Sequence, residues 1–231
     1  MTDAVDINVM SSNAMREALL ELLPGFERAS GHKVTPTFVG GVDIMKRMAA
    51  GATCDLVIMA GASIDQLIEQ GKVVAGSRVD LVKSGIGVAV RAGAPRPDIG
   101  SADAVKRALI AAKSIAYSSG PSGVYLANLF ARMGIAETLK PKIKAVPPGV
   151  PAGSLVARGE AEIGFQQISE LLPVAGIDLI GPLPADIQEI TVFSGGIHTA
   201  AAQPDAAKEL TRFITSPAAA PVIGKKGLEP A

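Results

Sequence analysis

Short apolar runs alternate with amphipathic stretches along the chain. Residues 7–10 form the first apolar run and predict a strand. Apolar positions at helical spacing follow, so we predict a helix that Ser11 or Ser12 caps and that Gly31 ends. The same strand–helix order continues downstream.

Two further strand–helix pairs complete the first 80 residues. A strand is predicted at residues 34–39, where Pro36 indicates a sheet edge or a bulge. Another strand is predicted at residues 55–59. The helix after it is predicted to begin with a capping box at residues 63–66.

The second half continues the alternation with more glycine and proline. Ser101 is expected to cap one helix, and Pro121 suits the first position of another. Two closing helices are predicted, with Pro204 and Pro217 near their starts. The strands of this half are predicted at residues 85–90, 114–117, 143–146, 161–166 and 187–194.

Strand–helix alternation indicates an α/β fold with mostly parallel sheet. Right-handed crossovers place the strand-to-helix loops at the carboxyl ends of the strands, where open α/β sheets bind ligands. These loops are small, polar and rich in glycine: residues 11–13, 40–41, 118–123 and 148–150. The pattern therefore predicts a ligand site at these loops.

Length and charge narrow the function classes. The 231 residues suit one large domain or two small lobes. Because 22 basic and 22 acidic residues give a net charge of zero, neither nucleic acid nor an anionic membrane is expected as a partner. No apolar run reaches the roughly 18 residues of a membrane span. We expect a soluble protein and a monomer.

The common catalytic signatures are missing from the sequence. Two histidines and one cysteine are too few for a zinc site of His and Cys ligands or for an internal disulfide. A phosphate loop, a G-x-G-x-x-G turn and a G-x-S-x-G elbow are also absent. We therefore expect no metal and no cofactor. Anion binding at helix N-termini remains, because backbone N–H groups and the helix dipole attract negative charge there.

Hydroxyls and an amide would complete such an anion site. Arg16 and Lys46 lie about one turn into two of the helices and could assist the anion or only face solvent. Each serine could equally be an ordinary cap or turn residue, and Gln166 a strand-end cap. The candidate ligand-binding residues are Ser11, Ser12, Gly40, Gly41, Ser118, Ser119, Ser122, Gly149, Val150, Gln166, Arg16 and Lys46.

Three segments of the chain resemble a known family, the molybdate-binding-like branch of periplasmic solute-binding proteins with the type 2 fold. Residues 51–58 match its G-x-x-x-D-hydrophobic strand, and residues 159–164 match its G-E-A-x-x-G strand. Residues 213–228 are similar to its F-L-x-S-P-x-A…G-F/L ending. The similarity covers nearly the whole chain.

The resemblance implies two mixed sheets flanked by helices, in two lobes joined by two crossover strands. Lobe 1 would hold residues 1–83 and 192–231, and lobe 2 residues 84–191. A ligand would lie in a cleft between the lobes and be enclosed by hinge closure. Such proteins deliver a solute to the membrane subunit of an ABC transporter. Because no signal peptide opens the sequence, we expect the periplasm if one was removed and the cytoplasm otherwise.

The candidate ligand residues depart from the molybdate pattern in two places. Ser12 matches the first-loop serine of the family, but Gly40 and Gly41 stand where a serine is usual. Gln166 stands where a tyrosine is usual. The loss of two hydroxyls favours a larger planar anion over molybdate or tungstate, so a di- or tricarboxylate is the expected ligand.

Two alternatives to plain binding stay open. Some proteins of this branch resemble aconitate isomerase, an enzyme whose proton shift needs an anion clamp and a base. The base candidates here are His198, Glu170 and Asp43. A sensor role is the other alternative, although the chain has no helix-turn-helix segment with which to regulate DNA by itself.

Overall fold

The computed structural model describes residues 4–147 and 149–231 of the chain. It divides into two compact units. Unit 1 comprises Met1–Lys83 and Val192–Ala231, and unit 2 comprises Ser84–Thr191. The chain therefore passes from unit 1 to unit 2 after Lys83 and returns after Thr191.

Strands and helices alternate through both units. The strands are β1 (Asp6–Ser12), β2 (Lys33–Val39), β3 (Leu56–Ala60), β4 (Val79–Ser84), β5 (Ile86–Arg91), β6 (Ile115–Tyr117), β7 (Ile143–Lys144), β8 (Ile163–Gln167), β9 (Ile177–Pro182), β10 (Thr191–Ile197) and β11 (Glu229–Pro230). The helices are α1 (Arg16–Ser30), α2 (Gly41–Ala49), α3 (Gly61–Glu69), α4 (Ala102–Ala111), α5 (Pro121–Arg132), α6 (Ala136–Leu139), α7 (Ala152–Ala157), α8 (Ile168–Leu171), α9 (Pro204–Ile214) and α10 (Ala220–Lys225).

The sheet of unit 1 has the strand order β11-β4-β10-β3-β1-β2. Strand β1 runs parallel to β2 and β3, whereas β10 is antiparallel to β3. The predicted edge position of Pro36 is confirmed, because β2 is the last strand of this sheet. An edge strand tolerates proline since one side of it makes no ladder hydrogen bonds.

Helix α1 covers this sheet with one apolar face. Its buried side chains are Ala18, Leu19, Leu22, Leu23 and Phe26. Gly31 ends the helix in the left-handed conformation at φ 78°, as its sequence position predicts. The predicted serine cap is wrong: Ser11 and Ser12 belong to β1, and a short 3₁₀ turn at Asn13–Met15 separates them from α1.

The sheet of unit 2 has the order β7-β6-β8-β5-β9. Strand β6 is parallel to both of its neighbours, and β5 is antiparallel to both of its own. Phe130 and Phe165 lie in the main apolar core of this unit. The local predictions hold here, because Ser101 Oγ accepts a hydrogen bond from Ala104 N and Pro121 opens α5.

Several predicted elements are wrong. Both sheets are mixed, not mostly parallel. Helix α3 already begins at Gly61, so there is no capping box at residues 63–66. The strand predicted at residues 187–194 exists but begins later, because Ala185–Ile187 form a 3₁₀ turn and β10 starts at Thr191. Strands β4, β9 and β11 were not predicted; β4 and β9 contain several half-exposed residues, and β11 is short.

Candidate functional site

Unit 1 gathers three loops at one edge of its sheet. In the parallel register Ser12 pairs with Val39, and Ser11 pairs with Ile58. The carboxyl ends of β1, β2 and β3 therefore share an edge, which brings Ser11, Ser12, Gly40, Gly41 and Gly61 to the same side. Open α/β sheets bind their ligands at such an edge.

Ser12 carries an unused hydroxyl at this edge. The residue is 7% exposed, and its Oγ has no hydrogen-bond partner in the described part of the chain. The neighbouring Ser11 is fully buried, and its Oγ donates to the Ser12 carbonyl at 3.1 Å. Leaving a buried hydroxyl unpaired costs about 1–3 kcal/mol. A ligand oxygen that accepts from Ser12 would recover that cost.

Gly40 and Gly41 leave space over the first turn of α2. Gly40 is extended at φ −66° and forms the N-cap position. A Cβ built on Gly40 would meet no described atom within 4 Å, and one on Gly41 would meet only Met59 Cε at 3.8 Å. Neither packing nor backbone conformation therefore requires glycine here. A serine side chain at this position would fill part of the open space. With glycine, the space and the free N–H groups at the start of the helix suit a larger anion.

The two cations predicted to assist the anion are both solvated. Arg16 is 54% exposed, with its Nε 3.6 Å from Glu17 and its guanidinium over the Phe38 ring. Lys46 is 75% exposed and lies 4.0 Å from Asp43. Both side chains have local partners, and neither is hydrogen-bonded to the Ser12 hydroxyl, which has no partner in the described chain.

A cluster of polar side chains around Arg78 lies at the same edge, and it was not predicted from the sequence. The Arg78 guanidinium packs against Gly61, where a Cβ would lie 2.6 Å from Nη2. It binds Asp65 and Asp80, and these hydrogen bonds raise the pKa of Arg78. Ser194 Oγ donates to Asp80 at 2.6 Å and is the main cause of the lowered pKa of that carboxyl. In the sequence, the glycine directly after a buried strand, Gly61, was the signal that could have indicated this cluster.

Unit 2 also gathers its loops at one sheet edge. Tyr117 pairs with Phe165, so β6 and β8 end on the same side. In the loop after β6, Ser118 Oγ lies 3.2 Å from Ser122 Oγ and accepts from Gly120 N at 3.4 Å. Ser122 is buried and Ser119 is exposed.

Gly123 fixes the shape of this serine loop. A Cβ at this position would lie 1.5 Å from the Ser118 carbonyl oxygen, which is inside any allowed contact. Only glycine lets the loop fold back onto the first turn of α5. The position of Ser118 therefore depends on Gly123.

The loop before α7 turns at Gly149, which adopts φ 75°. Val150 N donates to the Pro147 carbonyl at 3.1 Å and closes the turn. Pro148, part of the predicted loop, lies outside the described residues. Val150 and Pro151 then lead directly into the first turn of α7 at Ala152.

Gln166 is held inside unit 2 by both ends of its amide. Helix α7 crosses β8 over Gly164, where a Cβ would lie 2.6 Å from Val156 Cγ2. Gln166, two residues further along the same face, accepts from Ala152 N at 2.7 Å through Oε1. Its Nε2 donates to Glu170 Oε1 at 2.9 Å. Gln166 therefore caps a helix, which is one of the two roles that the sequence allows for it, and the helix is α7.

Glu170 has the most perturbed carboxyl of this unit. The residue is only partly exposed. Burial raises the pKa of its carboxyl to about 7, although the hydrogen bond from Gln166 acts in the opposite direction. A carboxyl with this pKa exchanges protons readily near neutral pH.

Gln167 and Ser169, close to Glu170 in the sequence, have unpaired polar atoms. Both residues are 2% exposed. Gln167 Nε2 donates to Thr191 Oγ1 at 2.9 Å, but Gln167 Oε1 and Ser169 Oγ have no partner among the described residues. The prediction selected Gln166, whereas the amide with an unpaired atom is its neighbour.

His198 lies at the opposite end of the unit 1 sheet, where β3 begins. Its N–H bonds to the Asp55 carbonyl, before the start of β3, and its Nδ1 accepts from Ala200 N. Burial lowers its pKa. This position, remote from the serine edge, argues against His198 as a base. Cys54 is buried too, which raises the pKa of its thiol to about 12.

Two negative findings apply to the described ranges, 4–147 and 149–231. No cluster of three or more His, Cys, Asp or Glu side chains there could hold a metal ion. No helix in those ranges combines the length and apolar character of a membrane span.

The fold and these strand-end loops define the class of the protein. The family model described as bacterial extracellular solute-binding protein matches residues 7–229. The chain belongs to this family, within its molybdate-binding-like branch, and the resemblance drawn from the sequence is confirmed.

Individual relatives differ in what they act on. The chain is 40% identical over 230 residues to aconitate isomerase from Pseudomonas sp, covering 97% of this chain and 87% of that protein. It is 26% identical over 233 residues to the molybdate-binding protein ModA of Azotobacter vinelandii, covering 97% and 90%. The solved periplasmic molybdate-binding protein of the same organism superposes with a TM-score of 0.80 at 21% identity, covering 96% and 98%. That likeness confirms the type 2 fold.

Proposed function

We propose that this protein binds a small polycarboxylate anion at its strand-end loops. The observation that carries the proposal is the edge of unit 1, where the unpaired Ser12 hydroxyl stands beside the open space at Gly40 and Gly41. The hydroxyl offers one donor to a carboxylate, and the open loop admits the rest of a ligand larger than a tetrahedral oxyanion.

The sequence identities favour an organic acid over molybdate, since the molybdate-binding relative is 26% identical and the aconitate isomerase is 40% identical. Gln167 Oε1 of unit 2 is an acceptor without a donor in the described chain. The hydroxyl group of a hydroxy acid such as citrate could donate to it, whereas molybdate and ionised aconitate have no hydrogen to give.

A second candidate function is isomerisation of the bound acid. The relative with 40% identity over nearly the whole chain favours it over passive delivery to an ABC transporter. Isomerisation of an unsaturated tricarboxylate needs a clamp for its carboxylates and one group that moves a proton. Ser12 is a candidate for the carboxylate clamp, and Glu170 is a candidate for the group that moves the proton.

Isothermal titration and proton NMR in heavy water test the two functions separately. Titration with cis-aconitate, trans-aconitate, citrate and molybdate should give binding for the carboxylates only. Proton NMR of either aconitate with the protein should then show conversion to the other isomer and uptake of solvent deuterium. Binding without conversion would leave a solute-binding protein for uptake or sensing. Binding of molybdate alone would contradict both proposals.

The compartment and the partner follow the family in this proposal. The matching family is described as extracellular, so we place the protein in the periplasm. If delivery is its role, the partner is the membrane subunit of an ABC transporter.

A further inference from the structure

Polar residues are concentrated where β8 ends and α8 begins. The strand is apolar up to Phe165, and then Gln166, Gln167, Ser169 and Glu170 follow within five residues. None of the first three is more than 4% exposed. Two of the four have a buried atom without a partner in the described ranges, Gln167 Oε1 and Ser169 Oγ. Unpaired buried atoms are rare in folded proteins, and a cluster of them indicates a site that something else completes.

Glu170 is held in a fixed position by Gln166. Its Oε1 accepts from Gln166 Nε2 at 2.9 Å, and Gln166 Oε1 accepts from Ala152 N at 2.7 Å. The carboxyl thus lies two hydrogen bonds from the start of α7, directly after the predicted binding loop at Gly149 and Val150. Because the amide is fixed at both ends, it orients the carboxyl without neutralising its charge.

Other carboxyls near these sheet edges are already engaged. Asp80 is bound by Arg78 and Ser194, and Asp65 is bound by Arg78. Asp43 lies 4.0 Å from Lys46 at the surface. Glu170, in contrast, faces an amide, and no charged group contributes to the shift of its pKa. This carboxyl is free to take up and release a proton.

We propose that the Glu170 carboxylate is the base that moves the proton when the protein isomerises an unsaturated tricarboxylate such as aconitate. This proposal rests on the proposed isomerase function. A Glu170 oxygen removes a proton from the CH₂ carbon of the bound acid, and the C–H electron pair spreads over the conjugated carbons and carboxylates. The O–H of Glu170, which can exchange its proton with solvent, then delivers a proton to the far carbon of the allylic system. No atom is gained or lost and nothing is oxidised or reduced.

The acidity of Glu170 suits both halves of this transfer. Burial sets its pKa at about 7, so both the accepting and the donating form are populated at neutral pH. The amide of Gln166 would keep the carboxyl oriented.

The test compares E170Q and E170D with the wild-type protein, using purified full chain with cis- and trans-aconitate. E170Q keeps the size of the side chain and its hydrogen bond to Gln166 by amide rotation, but it cannot accept a proton. The matched control is E137Q, because Glu137 lies exposed on α6 of the same unit and, among the described residues, pairs only with Lys140. Titration calorimetry measures binding, and NMR in heavy water measures conversion and deuterium uptake.

We expect E170Q to bind both aconitates within about threefold of wild type and to lose conversion and deuterium uptake by about 10²–10⁴-fold, the usual worth of a general base. E170D should keep part of the activity, and the acid limb of its kcat/KM profile should move from the wild-type position near pH 7. E137Q should behave as wild type in every assay.

Three results would overturn the assignment. Conversion by E170Q at the rate of E137Q would remove Glu170 as the base and leave the isomerase function standing. If E170Q does not fold, the kcat/KM profile of E170D against pH decides. A profile identical to that of wild type would also remove Glu170 as the base and leave the isomerase function standing. Binding without conversion or deuterium uptake by the wild-type protein would instead refute the isomerase function, and the base assignment with it.

Discussion

Ser12 and Ser101 show how one residue type takes two roles in this chain. Ser101 Oγ accepts from Ala104 N at 3.2 Å and so caps α4. Ser12 also precedes a helical turn, but its buried Oγ has no partner in the residues the structure describes. A capping serine stabilises the free protein, whereas an unpaired buried serine is stabilising only when a ligand pairs with it.

Ser12→Ala and Ser101→Ala should therefore have opposite effects. S12A should leave the free energy of unfolding unchanged or slightly raised, and should weaken aconitate binding by about 10-fold or more, because a hydrogen bond to a charged group is lost. S101A should cost about 1 kcal/mol of stability and leave binding unchanged. Urea unfolding and calorimetry measure the two quantities. Equal binding by S12A and wild type would remove Ser12 from the site.

Glu170 makes stability depend on pH in a defined direction. The unfolded chain releases this proton near the ordinary pKa of 4.5, while the folded protein keeps it up to about 7. Between these values the folded state binds more protons, so its contribution to the unfolding free energy falls as pH rises and levels off above 7. The full change is on the order of 3 kcal/mol.

E170Q should lack this loss because its amide stays neutral. Urea unfolding at about pH 5 and about pH 8 should show wild type losing stability relative to E170Q, with E137Q following wild type. A difference between wild type and E170Q that does not change with pH would show that the Glu170 carboxyl is not desolvated in the folded protein.

At the scale of an element, the serine loop before α5 depends on one glycine. Gly123 has ordinary backbone angles, so its requirement comes from the close approach of the Ser118 carbonyl. Gly224 in α10 is the contrasting case, since a Cβ there would meet no described atom within 4 Å. Both glycines lie in helices, but only one of them shapes a candidate binding loop.

Gly123→Ala should displace the serine loop. We expect a loss of about 1–3 kcal/mol from the forced backbone shift and weaker ligand binding. Gly224→Ala is the matched control and should stabilise the protein by about 0.5–1 kcal/mol, because alanine favours a helix interior over glycine. Thermal unfolding with and without trans-aconitate separates the two effects. Unchanged stability and binding in G123A would show that the loop is not held as the structure has it.

Elements with local signals were predictable, and elements defined by distant partners were not. Gly31, Ser101 and Pro121 mark helix ends through their own backbone or side chain, and the structure agrees at all three. Strand β4 became a strand through pairing with segments distant in sequence, and the Arg78 cluster likewise joins residues as far apart as Asp65 and Ser194. Periodicity along the chain contains no information about such partners.

For the whole molecule, the family motifs predicted more than the pattern did. Alternation alone indicated a mostly parallel sheet, whereas the resemblance implied the two mixed sheets that the structure has. The sequence does not distinguish Gln166 from Gln167, because neighbouring residues of a strand face opposite sides of the sheet. The structure shows that both ends of the Gln166 amide are hydrogen-bonded, whereas Gln167 Oε1 has no partner among the described residues.

A thermal-shift measurement of the purified protein tests the central claim most directly. The panel contains cis-aconitate, trans-aconitate, citrate, phosphate, sulfate, molybdate and tungstate. A ligand at 100 times its Kd adds about 2.7 kcal/mol of stability, which raises Tm by several degrees. We predict this rise for the tricarboxylates and none for molybdate or tungstate. A rise with molybdate or tungstate alone would contradict the account and make the protein an oxyanion carrier.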